Sequence, residues 1–334
     1  HGAALELAET VLKVEGEPTV DLVRRGTGLA RAERCDVVVS VGGGSAIDTG
    51  KAIAAMLGNG GDPLDYLEVV GRAQPPRQPS APFIAVPTTA GTGAEVTRNA
   101  VLASTEHRVK ASLRSPLMLP RLAVVDPELT LDLPPALTAS TGLDALTQLI
   151  EPFVSVRANA MTDLYARDGM RRAARALVRA YSDGRDRQAR HDMSLASLFG
   201  GLCLANAGLG AVHGFAAPVG GAFDAPHGAV CAALLPWAIK VNIRAMRARG
   251  GEALERYAEV ARILTERPDA APEDGIQWVD EVCRTLRIPP LRAYGIQPGD
   301  VAALVESAAK ASSMKGNPIA LTTDEMAEIL TRAI

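Results

Sequence analysis

A strand, a glycine turn and a helix that follow one another near the start of this chain constrain its fold more than any other feature. A β-branched run at residues 36–41 leads directly into glycines at 42–44, and a helical pattern follows over residues 46–57. Apolar runs at 83–86 and 122–125 have the length and composition of buried strands. Continuous apolar strands separated by helices are typical of a parallel sheet covered on both faces. The first part of the chain is therefore predicted to be an α/β domain.

Helical patterns dominate the remainder of the chain. Amphipathic helices are predicted over residues 3–13 and 20–33, before the first strand. Strand-like runs largely vanish after Pro134 and Pro135, so we expect an α/β domain over residues 1–134 and an all-α domain over residues 135–334. Within the second domain, helices are predicted over residues 140–153, 162–180, 192–207 and 252–265.

Composition disfavours several classes of protein. The chain has 334 residues, of which 47% are hydrophobic, so it can bury large cores. Its net charge is −3 with mixed signs, which offers no basic stripe for nucleic acid. Apolar runs are interrupted before the roughly 18 residues of a membrane span, and the N-terminus lacks a signal-peptide pattern. We expect a cytoplasmic protein with no nucleic-acid or membrane partner.

The four cysteines lack the regular spacing of a disulfide framework. Cys35, Cys203, Cys231 and Cys283 are widely scattered and form no CxxC pair, so reduced thiols are expected. Cys231 lies one helical turn after His227, which raises the possibility of a metal ligand. A small thiol on an apolar helix nevertheless favours a buried structural role. We therefore place Cys231 outside the predicted site.

Two loops that follow predicted strands have the composition of nucleotide-binding loops. At the glycine turn, backbone free of side chains can approach a phosphate, and the helix dipole favours its charge. The turn matches neither GxGxxG nor a Walker loop, and a tight strand-to-helix connection is the alternative. Residues 87–95 combine hydroxyls and glycines that can hold a ribose or a nicotinamide amide, or form an ordinary polar loop. Together the two loops favour a bound nucleotide.

A group of polar residues in the helical domain suggests a metal or catalytic site. Asp144 and Gln148 are spaced i, i+4 and so lie on one helical face. His213 lies within a run of small residues at 206–214, and His227 follows a turn at a predicted helix start. Carboxylate, amide and imidazole groups can hold a metal or move a proton. They could instead be buried groups that satisfy one another.

At these residues the sequence resembles the iron-containing (group III) alcohol dehydrogenases. The resemblance runs from about residue 17 to the end, and it is carried in order by residues 42–48, 87–95, 123–130, 141–147 and 212–228. It implies a Rossmann-like parallel-sheet domain that binds a dinucleotide, followed by an all-α metal and substrate domain. It also implies a homodimer that uses NAD or NADP.

Matched residue by residue, the resemblance implies roles for particular side chains. Eight positions match the family's cofactor-binding residues: Gly43, Gly44, Ser45 and Asp48 in the pyrophosphate loop, Thr88, Thr89 and Thr92 in the nicotinamide-side loop, and Lys110 beside the ribose. The family binds iron or zinc through one Asp and three His. Asp144, His213 and His227 match three of those ligands, and Gln148 stands at the fourth.

Three departures from the family pattern affect the expected chemistry. The amide oxygen of Gln148 is neutral like imidazole but is a harder and usually weaker donor for iron or zinc, so metal binding is expected to be weak or absent. Ala217 stands where the family commonly has a histidine beside the nicotinamide, so another group must supply any proton relay. Only sixteen residues precede the motif at 17–19, so the first βαβ unit is expected to be incomplete.

The resemblance implies an NAD(P)-dependent oxidoreductase that interconverts a small aldehyde or ketone and its alcohol, with metal assistance. His213 and His227 are the predicted catalytic residues. One alternative is a catalytically altered or metal-independent relative, maleylacetate-reductase-like or a non-catalytic nucleotide-binding protein. Another is a dehydroquinate-synthase-like lyase, which should carry more basic residues around its pocket. The apolar neighbours of the two histidines favour a small or apolar substrate.

Overall fold

The computed structural model of the protein describes residues 11–107 and 109–334. The chain divides into two compact units. The first unit comprises His1–Pro87 and Arg98–Val124, and the second comprises Thr88–Thr97 and Val125–Ile334. The domain boundary after residue 134, which we inferred from the sequence, stays a prediction.

The strands of the first unit form a parallel sheet and a separate ribbon. They are β1 (Val38–Gly42), β2 (Phe83–Pro87), β3 (Asn99–Ser104), β4 (Val109–Arg114) and β5 (Leu122–Ala123). The parallel sheet has the order β1-β2-β5, with Val38 beside Phe83 and Ile84 beside Leu122. The strands β3 and β4 pair antiparallel. The predicted parallel α/β sheet is confirmed, and the ribbon was not predicted.

In the first unit the structure describes three helices: α1 (Val20–Ala32), α2 (Gly44–Asn59) and α3 (Pro63–Tyr66). The hydroxyl of Thr19 accepts the backbone N–H of Leu22 at 3.1 Å and caps α1, as an N-cap residue commonly does. The helix predicted over residues 3–13 falls mostly on residues 3–10, which lie outside the described residues, and residues 11–13 are not helical.

The parallel sheet is not covered on both faces by described residues, contrary to the prediction. Val39 and Val41 are 54% and 62% exposed, although neighbouring Ser40 is buried. Ser40 faces α2, where its hydroxyl donates to the carbonyl of Ala46 at 3.1 Å. An apolar strand therefore indicated the sheet correctly but did not establish that both of its faces are buried.

The second unit contains the remaining nine α-helices that the structure describes. They are α4 (Pro135–Val154), α5 (Ala160–Ser182), α6 (Arg187–Ala207), α7 (Ala211–Ala222), α8 (His227–Arg249), α9 (Ala253–Thr265), α10 (Pro272–Thr285), α11 (Val301–Lys310) and α12 (Thr323–Ala333). The helix α4 is buried along almost its whole length and packs against α5, α6 and α8. The predicted all-α second part is confirmed.

The helix α8 contains a long apolar stretch. Its length and composition are those of a membrane span, but 78% of its most apolar window is buried inside the protein. Cys231, Leu234 and Leu235 are among its residues in the helical core. Burial within the unit therefore accounts for the apolar composition of α8.

Candidate functional site

Three helices of the second unit bring the predicted metal-site residues together. The helix α4 carries Asp144 and Gln148 on one face, α7 carries His213, and α8 begins at His227. A Cβ atom on Gly228 would lie 2.7 Å from the carbonyl oxygen of Ser140. The first turn of α8 can therefore approach α4 closely because this position has no side chain.

The donor atoms of the site lie close to one another. Oδ1 of Asp144 is 3.2 Å from Nε2 of His213 and 3.8 Å from Nε2 of His227. The two imidazole rings are inclined at 51° with their centroids 5.4 Å apart. Asp144 and His213 are buried, whereas 38% of the His227 side chain is exposed. One side of the cluster therefore reaches solvent at His227.

Cys231 belongs to this cluster, which corrects its placement outside the site. Its Sγ atom lies 3.6 Å from Nε2 of His227 and 3.8 Å from Nε2 of His213. The ligand atoms of Asp144, His213, His227 and Cys231 all lie within 4.8 Å of one another. The expected burial of Cys231 is confirmed, because it is 0% exposed. Its i+4 spacing from His227 was the signal that could have placed it in the site.

Two side-chain oxygens of α4 suit a metal centre because they are buried without a suitable hydrogen bond. Oδ1 of Asp144 and Oε1 of Gln148 are buried, and no described residue makes a hydrogen bond to either in suitable geometry. Nε2 of Gln148 donates to the carbonyl oxygen of Gly91 at 3.0 Å, which fixes the amide. Buried polar atoms without a partner are costly and rare. A cation bound by these oxygens would remove that cost, so the residues present fit a metal.

Glu151 holds His213 in position and was not predicted. Its Oε2 accepts a hydrogen bond from Nδ1 of His213 at 2.7 Å, and its Oε1 accepts the backbone N–H of Val212 at 2.7 Å. A carboxylate partner at Nδ1 leaves the lone pair of Nε2 directed at the cluster. Glu151 follows Asp144 by seven residues on α4, and this two-turn spacing is the signal that could have found it.

Opposite charges shift the ionisation of these groups. Burial lowers the pKa of His213, but its interactions with Cys231, Asp144 and Glu151 outweigh burial and raise this pKa well above its ordinary value. Burial also lowers the pKa of His227, yet interactions with Cys231 and Asp144 raise it to about 9. Burial raises the pKa of Asp144, and the two imidazoles more than reverse this. A metal bound here would therefore compete with protons.

The predicted phosphate-binding residues lie at the start of α2 in the first unit. Gly43 is the N-cap of this 16-residue helix, and neither an acidic residue in the first turn nor a side-chain cap occupies its N-terminus. Oδ2 of Asp48 accepts the backbone N–H of Val101 at 2.9 Å, so this carboxylate joins α2 to β3. Nζ of Lys110 lies 3.0 Å from Glu17.

The predicted nicotinamide-side loop belongs to the second unit. Thr88, Thr89 and Thr92 are half-buried, and the hydroxyl of Thr92 accepts the backbone N–H of Ala94 at 3.3 Å. Gly93 has a φ of +59°, and a Cβ atom there would lie 2.6 Å from the backbone of Gly201. The loop is therefore held against α6 at a position that suits glycine alone.

Comparison with known proteins relates this architecture to one family. Residues 2–127 match the family described as "Iron-containing alcohol dehydrogenase", and residues 138–334 match "Fe-containing alcohol dehydrogenase family, C-terminal". Alcohol dehydrogenase 4 of Saccharomyces cerevisiae is 36% identical over 322 residues, which are 96% of this chain and 82% of that protein. The NAD-dependent methanol dehydrogenase of Bacillus methanolicus is 33% identical over 328 residues, which are 96% of this chain and 83% of that protein.

A solved structure agrees with the sequence matches. The crystal structure of a 1,3-propanediol oxidoreductase superposes with a TM-score of 0.89 at 36% identity, covering 96% of this chain and 83% of that one. These matches favour a working dehydrogenase over a non-catalytic nucleotide-binding protein. The chain therefore belongs to the iron-containing alcohol dehydrogenase family and is an NAD-dependent oxidoreductase that interconverts alcohols with aldehydes or ketones.

Proposed function

We propose that the enzyme acts on a small aldehyde or ketone and its alcohol, and that a divalent metal, iron or zinc, is held by Asp144, Gln148, His213 and His227. The observation that carries this proposal is the pair of buried oxygens on α4, Oδ1 of Asp144 and Oε1 of Gln148, which make no hydrogen bond of suitable geometry with the described residues. Oδ1 of Asp144 lies instead 3.2 Å from Nε2 of His213, a second metal-binding atom. A bound divalent metal would polarise the carbonyl oxygen and stabilise the negative charge that develops on it.

The protein residues of this centre would orient the reacting oxygen. Glu151 fixes the ring of His213 with Nε2 directed at the cluster, so little reorganisation is needed when a ligand binds. The partial exposure of His227 gives a small substrate a way to reach the donor atoms. If the centre works without a metal, the raised pKa of His227 keeps its imidazole protonated near neutral pH. His213 or His227 would then donate a hydrogen bond to the same oxygen.

Each candidate cofactor loop is proposed separately, and the first is the turn that follows β1 in the first unit. We assign the pyrophosphate to Gly43, Gly44 and Ser45, because free backbone N–H groups at the start of α2 favour an anion. In the same proposal Asp48 supports this turn through its bond to β3. Thr88, Thr89 and Thr92 would offer hydroxyls to the nicotinamide side.

Further properties are proposed from the family resemblance. Lys110 would exchange its contact with Glu17 for a ribose hydroxyl. We propose NADP as a second cofactor beside NAD. We also propose a cytoplasmic homodimer whose partners are small molecules rather than nucleic acid or membrane.

The test is turnover measured together with metal content. Purified protein is analysed for iron and zinc, and oxidation of NADH and NADPH is followed over a panel of small aldehydes and ketones. We expect turnover to rise with bound metal and to vanish in His213→Ala. The matched control is His191→Ala, because the His191 side chain is 50% exposed. Near-normal turnover in His213→Ala would remove this assignment of the site.

A further inference from the structure

We propose that Cys231 is a thiolate ligand of the metal centre and completes a four-donor set with Asp144, His213 and His227. The assignment rests on the metal site of the proposed function and names its fourth strong donor. It leaves Gln148 as a weaker, additional oxygen donor at the same centre. The set then contains one oxygen, two nitrogens and one sulfur.

The position of the sulfur suits a metal ligand. Around a tetrahedral ion with bonds of about 2.1 Å to nitrogen and about 2.3 Å to sulfur, nitrogen and sulfur donors lie about 3.6 Å apart. Sγ of Cys231 is 3.6 Å from Nε2 of His227 and 3.8 Å from Nε2 of His213. Both separations are within a few tenths of an ångström of that value. The donors are therefore arranged for a shared ion with only small movements.

The surroundings of Cys231 differ from those of two other thiols on the helices. Sγ of Cys203 contacts the carbonyl oxygen of Thr162 at 3.3 Å, and Sγ of Cys283 contacts that of Ala232 at 3.7 Å. A thiol that donates to a backbone carbonyl is satisfied by its own helical packing. The neighbours of the Cys231 sulfur are instead two ring nitrogens, which are metal-binding atoms. The packing of α8 alone does not require two imidazole nitrogens beside this sulfur.

Charge and donor type support the same assignment. Asp144 and a Cys231 thiolate together bring two negative charges, which balance a divalent cation in a buried site. Sulfur is a softer donor than oxygen, and a tetrahedral set with sulfur and nitrogen favours zinc over iron. When the ion binds, the Sγ–H bond breaks, a sulfur–metal bond forms, and the proton passes to solvent.

Cobalt(II) substitution tests the assignment by a signal other than turnover. The wild-type protein loaded with one equivalent of Co²⁺ should show a sulfur-to-cobalt charge-transfer band in the near ultraviolet. The band should disappear in Cys231→Ser, while weaker visible bands from nitrogen and oxygen ligation remain. Zinc affinity of this variant should fall by about tenfold or more. Cys283→Ser is the matched control and should keep the band.

The outcomes separate this assignment from the proposed function. Stoichiometric cobalt binding without a sulfur band, or a band that persists in Cys231→Ser, would overturn the thiolate ligand and leave the metal site standing. Failure of the wild type to bind either Co²⁺ or Zn²⁺ would overturn both. X-ray absorption on the zinc-loaded wild type needs no variant. It therefore shows whether sulfur is a ligand even if Cys231→Ser fails to fold. One sulfur at about 2.3 Å supports the ligand, and a shell of nitrogen and oxygen alone excludes it.

Discussion

Glu151 and His213 form a buried pair in which the carboxylate oxygen Oε2 accepts a hydrogen bond from the ring nitrogen Nδ1 at 2.7 Å. The other carboxylate oxygen accepts the backbone N–H of Val212, so the carboxylate is fixed at both ends. Gly210 makes room for it, because a Cβ atom there would lie 2.9 Å from Oε1. The pair thereby determines which ring nitrogen of His213 carries hydrogen.

Glu151→Gln should weaken metal binding without removing a ligand. The amide oxygen can still accept from Val212, but the amide N–H₂ would then face Nδ1 of His213. That nitrogen would have to accept, which places the hydrogen on Nε2, the nitrogen that faces the cluster. We expect metal affinity to fall by about 10–100-fold, as for other partners that orient a metal-binding histidine. Competition titration with a chromogenic chelator measures this.

Glu255→Gln is the matched control for this change. The Glu255 side chain is 78% exposed and pairs with Arg262 at the surface, so its metal affinity should equal that of the wild type. Equal affinity of Glu151→Gln and wild type would show that the Glu151 contact does not set the tautomer of His213.

The sequence indicated the helix faces of the site better than the contacts between helices. Asp144 and Gln148 share a face because the helical period places positions i and i+4 together. The same period applies to His227 and Cys231, but their relation to His213 depends on how α7 and α8 pack. Nothing local specifies that packing. The cysteine was therefore identified as buried and close to His227, while its approach to His213 was not foreseen.

The antiparallel ribbon shows a different gap in the sequence-based prediction. Ala100, Leu102 and Ser104 are buried and alternate with half-buried residues, which is a strand period of two. The alternation is weak in the sequence because serine and alanine occupy several positions on both faces. Burial of such small residues is decided by what packs on them, here in part α2, so the ribbon required tertiary information.

Removal of metal should lower the melting temperature. A ligand that binds only the folded state adds about 2.7 kcal/mol of stability when its free concentration is 100 times its dissociation constant. For a chain of this size that corresponds to a rise of about 4 °C. Calorimetry of chelator-treated protein, before and after addition of Zn²⁺ or Fe²⁺, measures the shift. His213→Ala should show no rise, and a rise equal to that of the wild type would place the metal elsewhere.

Protonation of His227 should stabilise the metal-free protein at lower pH. Its folded pKa is raised to about 9 from an ordinary value of about 6.5, so the contribution is complete below pH 6.5 and is lost as pH rises through 9. Because 38% of the side chain is exposed, solvent screens the effect, and we expect about 2 °C.

The test for His227 is the difference in melting temperature between the wild type and a variant without this imidazole. Melting temperatures of chelator-treated wild type and His227→Ala are compared at pH 6.5 and 9.5, with His191→Ala as control. The melting temperature of the wild type should exceed that of His227→Ala by less at pH 9.5 than at pH 6.5. A gap that grows with pH would contradict the sign of the shift.

Gly93→Ala should disturb the loop of residues 88–97. The new Cβ would lie 2.6 Å and 2.7 Å from backbone atoms of Gly201 and 2.7 Å from the carbonyl oxygen of Ser197, and φ is +59°. Backbone cannot yield as a flexible side chain does, so we expect a loss of about 2–3 kcal/mol of stability. Because Thr88, Thr89 and Thr92 lie in this loop, KM for NADH should rise more than kcat falls.

Gly28→Ala is the matched control for the loop variant. Gly28 lies within α1, and among residues 11–107 and 109–334 a Cβ atom there would meet no atom within 4 Å beyond its own helix backbone and chain neighbours, so the described residues leave open space for it. Alanine is the better helix former, so this variant should gain about 0.5–1 kcal/mol and keep the wild-type KM. Thermal melts and NADH saturation curves of the two variants separate a local clash from a general effect of adding a methyl group. Wild-type KM and stability in Gly93→Ala would mean that the loop does not depend on its approach to α6.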